Sequence, residues 1–256
     1  SAAASSNTVE FAATAIGSRA NASGASSTSI GNSSRANSQG SIALGHLANA
    51  DAVRTIAIGS GSTANASCAM AVGWNANATA SNATALGYTA NALGTNSTAI
   101  GTSASASGED AIAIGQSSTA SNANTLAIGT EAEATEVNSI AIGLNSSSSG
   151  PNSTALGHNA KAKGGQSISI GRGAVAEKFG TAALGACSNA FGNRSIAVGV
   201  YANATSECSM AIGFGAESTA VNSIAIGDSA STSADNATAV GTLAVATQLN
   251  SSAYGT

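Results

Sequence analysis

The sequence predicts an all-β fold, a parallel β-solenoid built from one 14-residue coil used about eighteen times. Three observations carry the prediction. A glycine recurs every 14 residues, from Gly17, Gly31 and Gly45 through to Gly255, with no insertion or deletion. Apolar or small residues alternate at period two on either side of it, the signature of strands. The composition supplies almost no bulky core: 8% of residues are charged, 3% are aromatic, and Pro151 is the single proline. Alanine is the commonest apolar residue, and each buried alanine removes little area from water. Such low complexity belongs to a disordered chain, a fibre or a repeat array. Regular Ile or Val and a positive mean hydropathy argue against disorder.

Each recurring glycine can be taken as column 0. Column −1 is aliphatic at every level but the last, where Tyr254 stands. Column −2 is Ala except at Ser29 and Ser169, and column −3 mixes Ile, Leu and Met with Thr. Beyond the glycine, column +3 is Ala or Ser throughout, and column +5 is Ala except at Ser148, Ser218 and Thr232. Columns −4 to −1 therefore read as one short strand and columns +2 to +6 as a second. Gly at column 0, Gly or Ala at +7 and Asn at −5 supply the turns between them. Coils stacked by parallel pairing, about 4.8 Å apart, give a rod on the order of 80 Å long. The expected organisation is one repeat array over residues 1–256, with a partial repeat at 1–10, full repeats from about 11, and no second domain.

Alternation fixes the cross-section. Columns −2, +3 and +5 point into the coil, so two sheets lie close over a thin interior of Ala and Ser. Columns −1 and −3 point outward, yet −1 is aliphatic, which leaves an apolar stripe along the rod. Soluble monomers rarely expose more than a few hundred Å² of contiguous apolar surface. Self-association about an axis parallel to the rod covers the stripe, and in-register copies place like on like at each level. The candidate shared core is represented by Ile16, Ile58, Ile114, Ile128, Ile142, Ile212 and Ile226. The number of copies does not follow from the columns.

Signs of chemistry are sparse. His46 and His158 share column +1 but lie eight coils, or about 38 Å, apart. Glu131, Glu133 and Glu136 fall within one coil and read as a solvated acidic face. Cys68, Cys187 and Cys208 are too few and too irregular for a disulfide framework or zinc site, and are expected as free, buried or half-buried thiols. The expectation is no enzyme, no cofactor and no metal. The net charge of −4 with scattered Lys and Arg argues against nucleic acid, and no run of 18 apolar residues argues for membrane insertion. Large side chains gather in the turns. Trp74, Tyr88 and Phe214 stand at +1, Tyr201 at +2 and Phe191 at +6, and these five form the candidate binding surface. Two readings stand for them, a ligand surface or packing that stiffens neighbouring coils. Twelve Asn-x-Ser/Thr sequons, such as Asn77, Asn152 and Asn203, are expected by chance in a chain this rich in those residues.

The phrase Asn138-Ser139-Ile140-Ala141-Ile142-Gly143, repeated at Asn222-Ser223-Ile224-Ala225-Ile226-Gly227, resembles the YadA-like head repeat of trimeric autotransporter adhesins. The resemblance spans essentially the whole chain. It implies a left-handed parallel β-roll, assembly as a parallel homotrimer with columns −1 and −3 on its axis, display on a cell surface, and attachment to host matrix or cell-surface ligands. Neck, coiled-coil stalk and membrane-anchor patterns of that family are not seen in the sequence. The alternative is a structural subunit of a surface or virion fibre that stacks end to end, since the repeat pattern runs to both ends of the sequence.

Overall fold

The structure, a computed structural model, describes residues 3–4 and 12–255. They form two compact units, Ser1–Glu131 and Ala132–Thr256. Each is a parallel β-solenoid, and no helix occurs among the described residues. The described chain makes about 17 turns of the coil, one fewer than the eighteen levels, because eighteen marker glycines bound seventeen intervals.

Every coil contributes a three-residue strand at columns −3 to −1 and a two-residue strand at +4 to +5. In the first unit these are, for example, Ile56–Ile58 and Thr63–Ala64; in the second, Ile140–Ile142 and Ser147–Ser148. Pairing is parallel and joins like columns: Met70 to Thr84, Ala71 to Ala85 and Val72 to Leu86 in one sheet, Asn77 to Asn91 and Ala78 to Ala92 in the other. Both strands are shorter than the columns suggest. Position +2 belongs to a turn, because its residue adopts a left-handed backbone, as at Leu47 (φ 58°), Asn145 (φ 54°) and Tyr201 (φ 60°).

That geometry reveals a 7-residue half-coil. Column −5 is also left-handed, as at Asn82 (φ 57°) and Asn138 (φ 57°), and it lies seven residues from +2. The two turns make matching hydrogen bonds. The amide of Ala20 donates to the Gly17 carbonyl, and that of Ser27 to the Gly24 carbonyl. Between coils, the Leu47 amide donates to the Asn32 carbonyl, and the Arg54 amide to the Gln39 carbonyl. Asparagine tolerates the left-handed region better than other side-chain-bearing residues, and column −5 is rich in it. There it also forms ladders: Asn82 Nδ2 donates to Asn96 Oδ1 at 3.0 Å, and Asn96 Nδ2 to Asp110 Oδ1 at 2.9 Å.

Four columns point inward, not three. Alongside −2, +3 and +5, column −4 is buried at Ser41, Thr55, Ala83, Thr125 and Ser153. Each strand with its flanking residue thus gives two inward side chains, and the interior consists of Ala, Ser and Thr. The hydroxyls mostly return to the backbone three residues earlier: Ser41 Oγ donates to the Ser38 carbonyl at 2.7 Å, and Ser62 Oγ to the Gly59 carbonyl at 2.9 Å. Where Ser replaces Ala at +5, the added hydroxyl pairs across the core, as between Ser148 and Ser153 (2.6 Å) or Ser218 and Ser223 (2.6 Å). With so little apolar area inside, the inter-coil hydrogen bonds carry much of the cohesion.

Column 0 is glycine for two reasons. At Gly87 φ is +145°, and an added Cβ would lie 2.4 Å from the Gly101 carbonyl oxygen of the next coil. Backbone meets backbone at this corner, so no side chain fits.

Candidate functional site

The solenoid sorts its outward side chains into surfaces of different character. The strand at −3 to −1 presents a largely apolar face, with Thr at −3 on several coils, and none of its described outward side chains is buried. Ile16 is 57% exposed and Ile58 36%, while Ile114, Ile128, Ile142, Ile212 and Ile226 are half-buried between neighbouring coils. The strand at +4 to +5 presents a mostly polar face instead, with Asn49, Thr63, Asn77 and Asn91 in the first unit and Ser147, Lys161 and Asn203 in the second, Val175 and Val245 being exceptions. An ion pair extends that face at column +6, where Lys163 Nζ lies 2.8 Å from Glu177 Oε2.

Of the five aromatic candidates, two lie in the first unit and three in the second. In the first unit, Trp74 and Tyr88 stack with centroids 4.7 Å apart and planes 11° from parallel, as column +1 places them one coil apart. In the second, Tyr201 meets Phe214 edge-to-face at 6.1 Å and 89°. Stacking does not bury them. Trp74 remains 47% exposed and Phe214 57%, so the pairs both brace adjacent coils and face solvent. Phe191, at 38% exposed, is in neither ring pair.

Other titratable groups stay dispersed. Among the described residues no group of three or more His, Cys, Asp or Glu is placed to hold a metal ion. Cys68, Cys187 and Cys208 are free thiols, and Cys68 is exposed where burial was expected, because column −5 is a turn. Arg194 binds Glu207 at 2.9 Å; this hydrogen bond, with the negative charge potential of Cys208 and Glu207, raises the guanidinium pKa above its ordinary value.

One concave feature of the first unit escaped the column reading. An open groove of about 520 Å³ is lined by Arg19, Ser33, Arg35, Leu47, Ala48, Asn49 and Thr63. Ser33 makes the hollow, being small between Arg19 and Leu47 in column +2, while Arg35, Asn49 and Thr63 of column +4 form the facing wall. The available signal was two arginines in neighbouring coils, two columns apart.

The repeat match is decisive for kinship. The YadA head domain repeat (2 copies) matches residues 12–34, 36–67, 68–90, 92–118, 120–146, 148–174, 176–202, 204–230 and 233–256. The chain belongs to the YadA head domain family. Among solved structures, this YadA-type head is similar to the crystal structure of the collagen-binding domain of the Yersinia adhesin YadA. Identity is 22%, coverage is 75% of this chain and 68% of that one, and the TM-score is 0.21. A comparison with curated proteins found no match. Within the family phrase, the column −5 asparagine is the left-handed turn residue, the next Ser points inward, Ala lies in the interior, and the two flanking Ile form the outward hydrocarbon face.

Proposed function

We propose that this chain is a non-catalytic adhesive head that works as a parallel homotrimer on a cell surface, attaching to host matrix or cell-surface ligands through many weak contacts. The observation that carries the reading is the partly exposed apolar column −1, repeated on every described coil and joined at column −3 by Ile, Leu or Met on many of them. A face of this kind in water is stabilised by a second copy. Covering the exposed half of one Ile or Leu contributes about 1 kcal/mol, and the repeat multiplies it. Membership of the YadA head family supports three copies around a common axis, a left-handed roll and one continuous repeat array. With Ile16, Ile58, Ile114, Ile128, Ile142, Ile212 and Ile226 at that axis, the turns bearing Trp74, Tyr88, Phe191, Tyr201 and Phe214 face outward. Repetition along a rod and threefold copying then convert weak single contacts into avidity.

Ile142→Asp tests the shared core. Sedimentation should give three chains per particle for the unaltered protein, and dissociation or precipitation for the variant. A variant that sediments and unfolds like the parent would overturn the assignment of column −1. Electron micrographs of the purified protein separate the two uses of such a rod. Discrete particles are expected, and continuous end-to-end filaments would favour a structural fibre.

A further inference from the structure

We propose that the groove between columns +2 and +4 of the first unit binds a linear acidic saccharide, one carrying sulfate or carboxylate groups. The proposal deepens the adhesive reading, on which it rests, by naming a ligand chemistry and a place for it.

Its volume of about 520 Å³ falls within the range of pockets that hold small ligands. The lining combines two cations with hydroxyl and amide groups and no carboxylate. Arg19 and Arg35 are both exposed, and neither forms an ion pair among the described residues. The carboxylate of Asp51, two residues beyond Asn49, is already held by amides: Asn49 Nδ2 donates to Oδ2 at 2.8 Å and Asn37 Nδ2 donates to Oδ1. With no carboxylate in the lining, both guanidiniums are open to an external anion. Guanidinium suits the task, because its planar fork meets sulfate or carboxylate oxygens in pairs.

The chain as a whole is acidic, with a net charge of −4. Its first 60 residues nevertheless hold Arg19, Arg35 and Arg54 against Glu10 and Asp51, and no further Lys or Arg follows until Lys161. Within the first unit, Lys and Arg are therefore confined to these coils. The groove crosses four successive coils, represented by Arg19, Arg35, Asn49 and Thr63. At about 4.8 Å per coil it suits an extended chain of a few residues. Ser33, Asn49 and Thr63 offer the mixed donors and acceptors that sugar hydroxyls need, and Leu47, 54% exposed, gives an apolar edge for a ring. A nucleic acid strand would call for more cations and for stacking surfaces within the groove, which has no aromatic lining.

The test is retention on a heparin column with salt elution, set beside a neutral dextran column. The unaltered protein should bind heparin and not dextran. Arg19→Asn with Arg35→Gln should lower heparin affinity at least tenfold and weaken its salt dependence. Arg172→Gln with Lys178→Gln, an equal loss of two charges in the second unit, should leave it unchanged. Unchanged retention of the groove variant, an equal loss with the Arg172→Gln, Lys178→Gln control, or equal binding to dextran would each overturn the proposal. A second measurement needs no variant: a heparin hexasaccharide should protect Arg19 and Arg35 of the unaltered protein from phenylglyoxal, read by peptide mass spectrometry. Absence of protection also overturns it. Sedimentation of the same samples reports the trimer separately, so failure of the groove and failure of the assembly are distinguished.

Discussion

Two glycines with positive φ should respond in opposite ways to a side chain, and the contrast tests how the coils are held together. Gly87→Ala places a methyl carbon 2.4 Å from the Gly101 carbonyl oxygen and 2.7 Å from its carbon, at φ +145°. Ordinary van der Waals contact requires close to an additional ångström, and the neighbour is backbone that can yield only if the coils part. The adjacent bond, in which the Gly101 amide donates to the Leu86 carbonyl at 2.8 Å, lies at this corner. Backbone strain of about 1–3 kcal/mol and loss of a hydrogen bond worth about 0.5–1.5 kcal/mol place the total near 2–4 kcal/mol. That is about 30- to 900-fold in the folding equilibrium. Gly40→Asn is the counterpart. There φ is +64°, which Asn accepts, and an added Cβ meets only Arg54 Cγ at 3.8 Å. It should be neutral or stabilise by up to about 1 kcal/mol, by restricting the unfolded chain. Urea unfolding followed by far-UV circular dichroism, at one fixed protein concentration because association shifts apparent stability, gives both values. A Gly87→Ala protein within about 0.5 kcal/mol of the parent, or a Gly40→Asn protein equally damaged, would refute the stacking argument.

Three further outcomes follow from the same geometry. Ser97 Oγ is buried without a hydrogen-bond partner, whereas Ser41 Oγ, in the same column, donates to the Ser38 carbonyl. Ser97→Ala should therefore stabilise and Ser41→Ala destabilise, each by about 1 kcal/mol in urea unfolding; equal signs would contradict the burial pattern. Asn96 is left-handed (φ 58°) and bonded to both ladder neighbours. Asn96→Ala should cost about 1–3 kcal/mol, and Asn96→Gly less, because glycine relieves the backbone but not the lost bonds. Tyr88→Ala removes the ring stacked on Trp74, the single tryptophan, so its emission should shift to the red and stability fall by about 0.5–1.5 kcal/mol. An unshifted spectrum would mean that the two rings do not stack in solution.

Most of the architecture was legible because strict periodicity makes each column an experiment repeated many times. The inward set at −2, +3 and +5 and the outward set of aliphatic −1 and mixed −3 both stand in the structure. Column −4 was harder to read. Its Ser, Thr and Ala are as common in turns as in interiors, and only the bond from Ser41 or Thr55 back to the preceding turn shows why a hydroxyl is at home there. The second left-handed column was hidden for a related reason. Asn marks column −5, but +2 holds Arg19, Leu47, Glu131 and Tyr201 with no common chemistry, because the stacked turns impose the conformation. The groove was invisible because it depends on a small Ser33 between two long neighbours, a relation across coils and not along a column.

The direction of the inter-coil hydrogen bonds has a mechanical consequence. In each unit they run from one coil to the next, parallel to the stacking direction, as from Gly101 to Leu86 or Gly157 to Ile142. A pull along that direction loads successive coils in series, and the outermost coil yields before the inner ones feel more than its rupture force. Each coil that lets go exchanges a rise of about 4.8 Å for 14 residues of slack, about 48 Å when extended. Under tension such a stack lengthens in equal steps, roughly tenfold per coil, and dissipates work at each one. A surface attachment made through these coils would behave as a shock absorber with a fixed stride, set by the same 14-residue spacing that fixes the glycines.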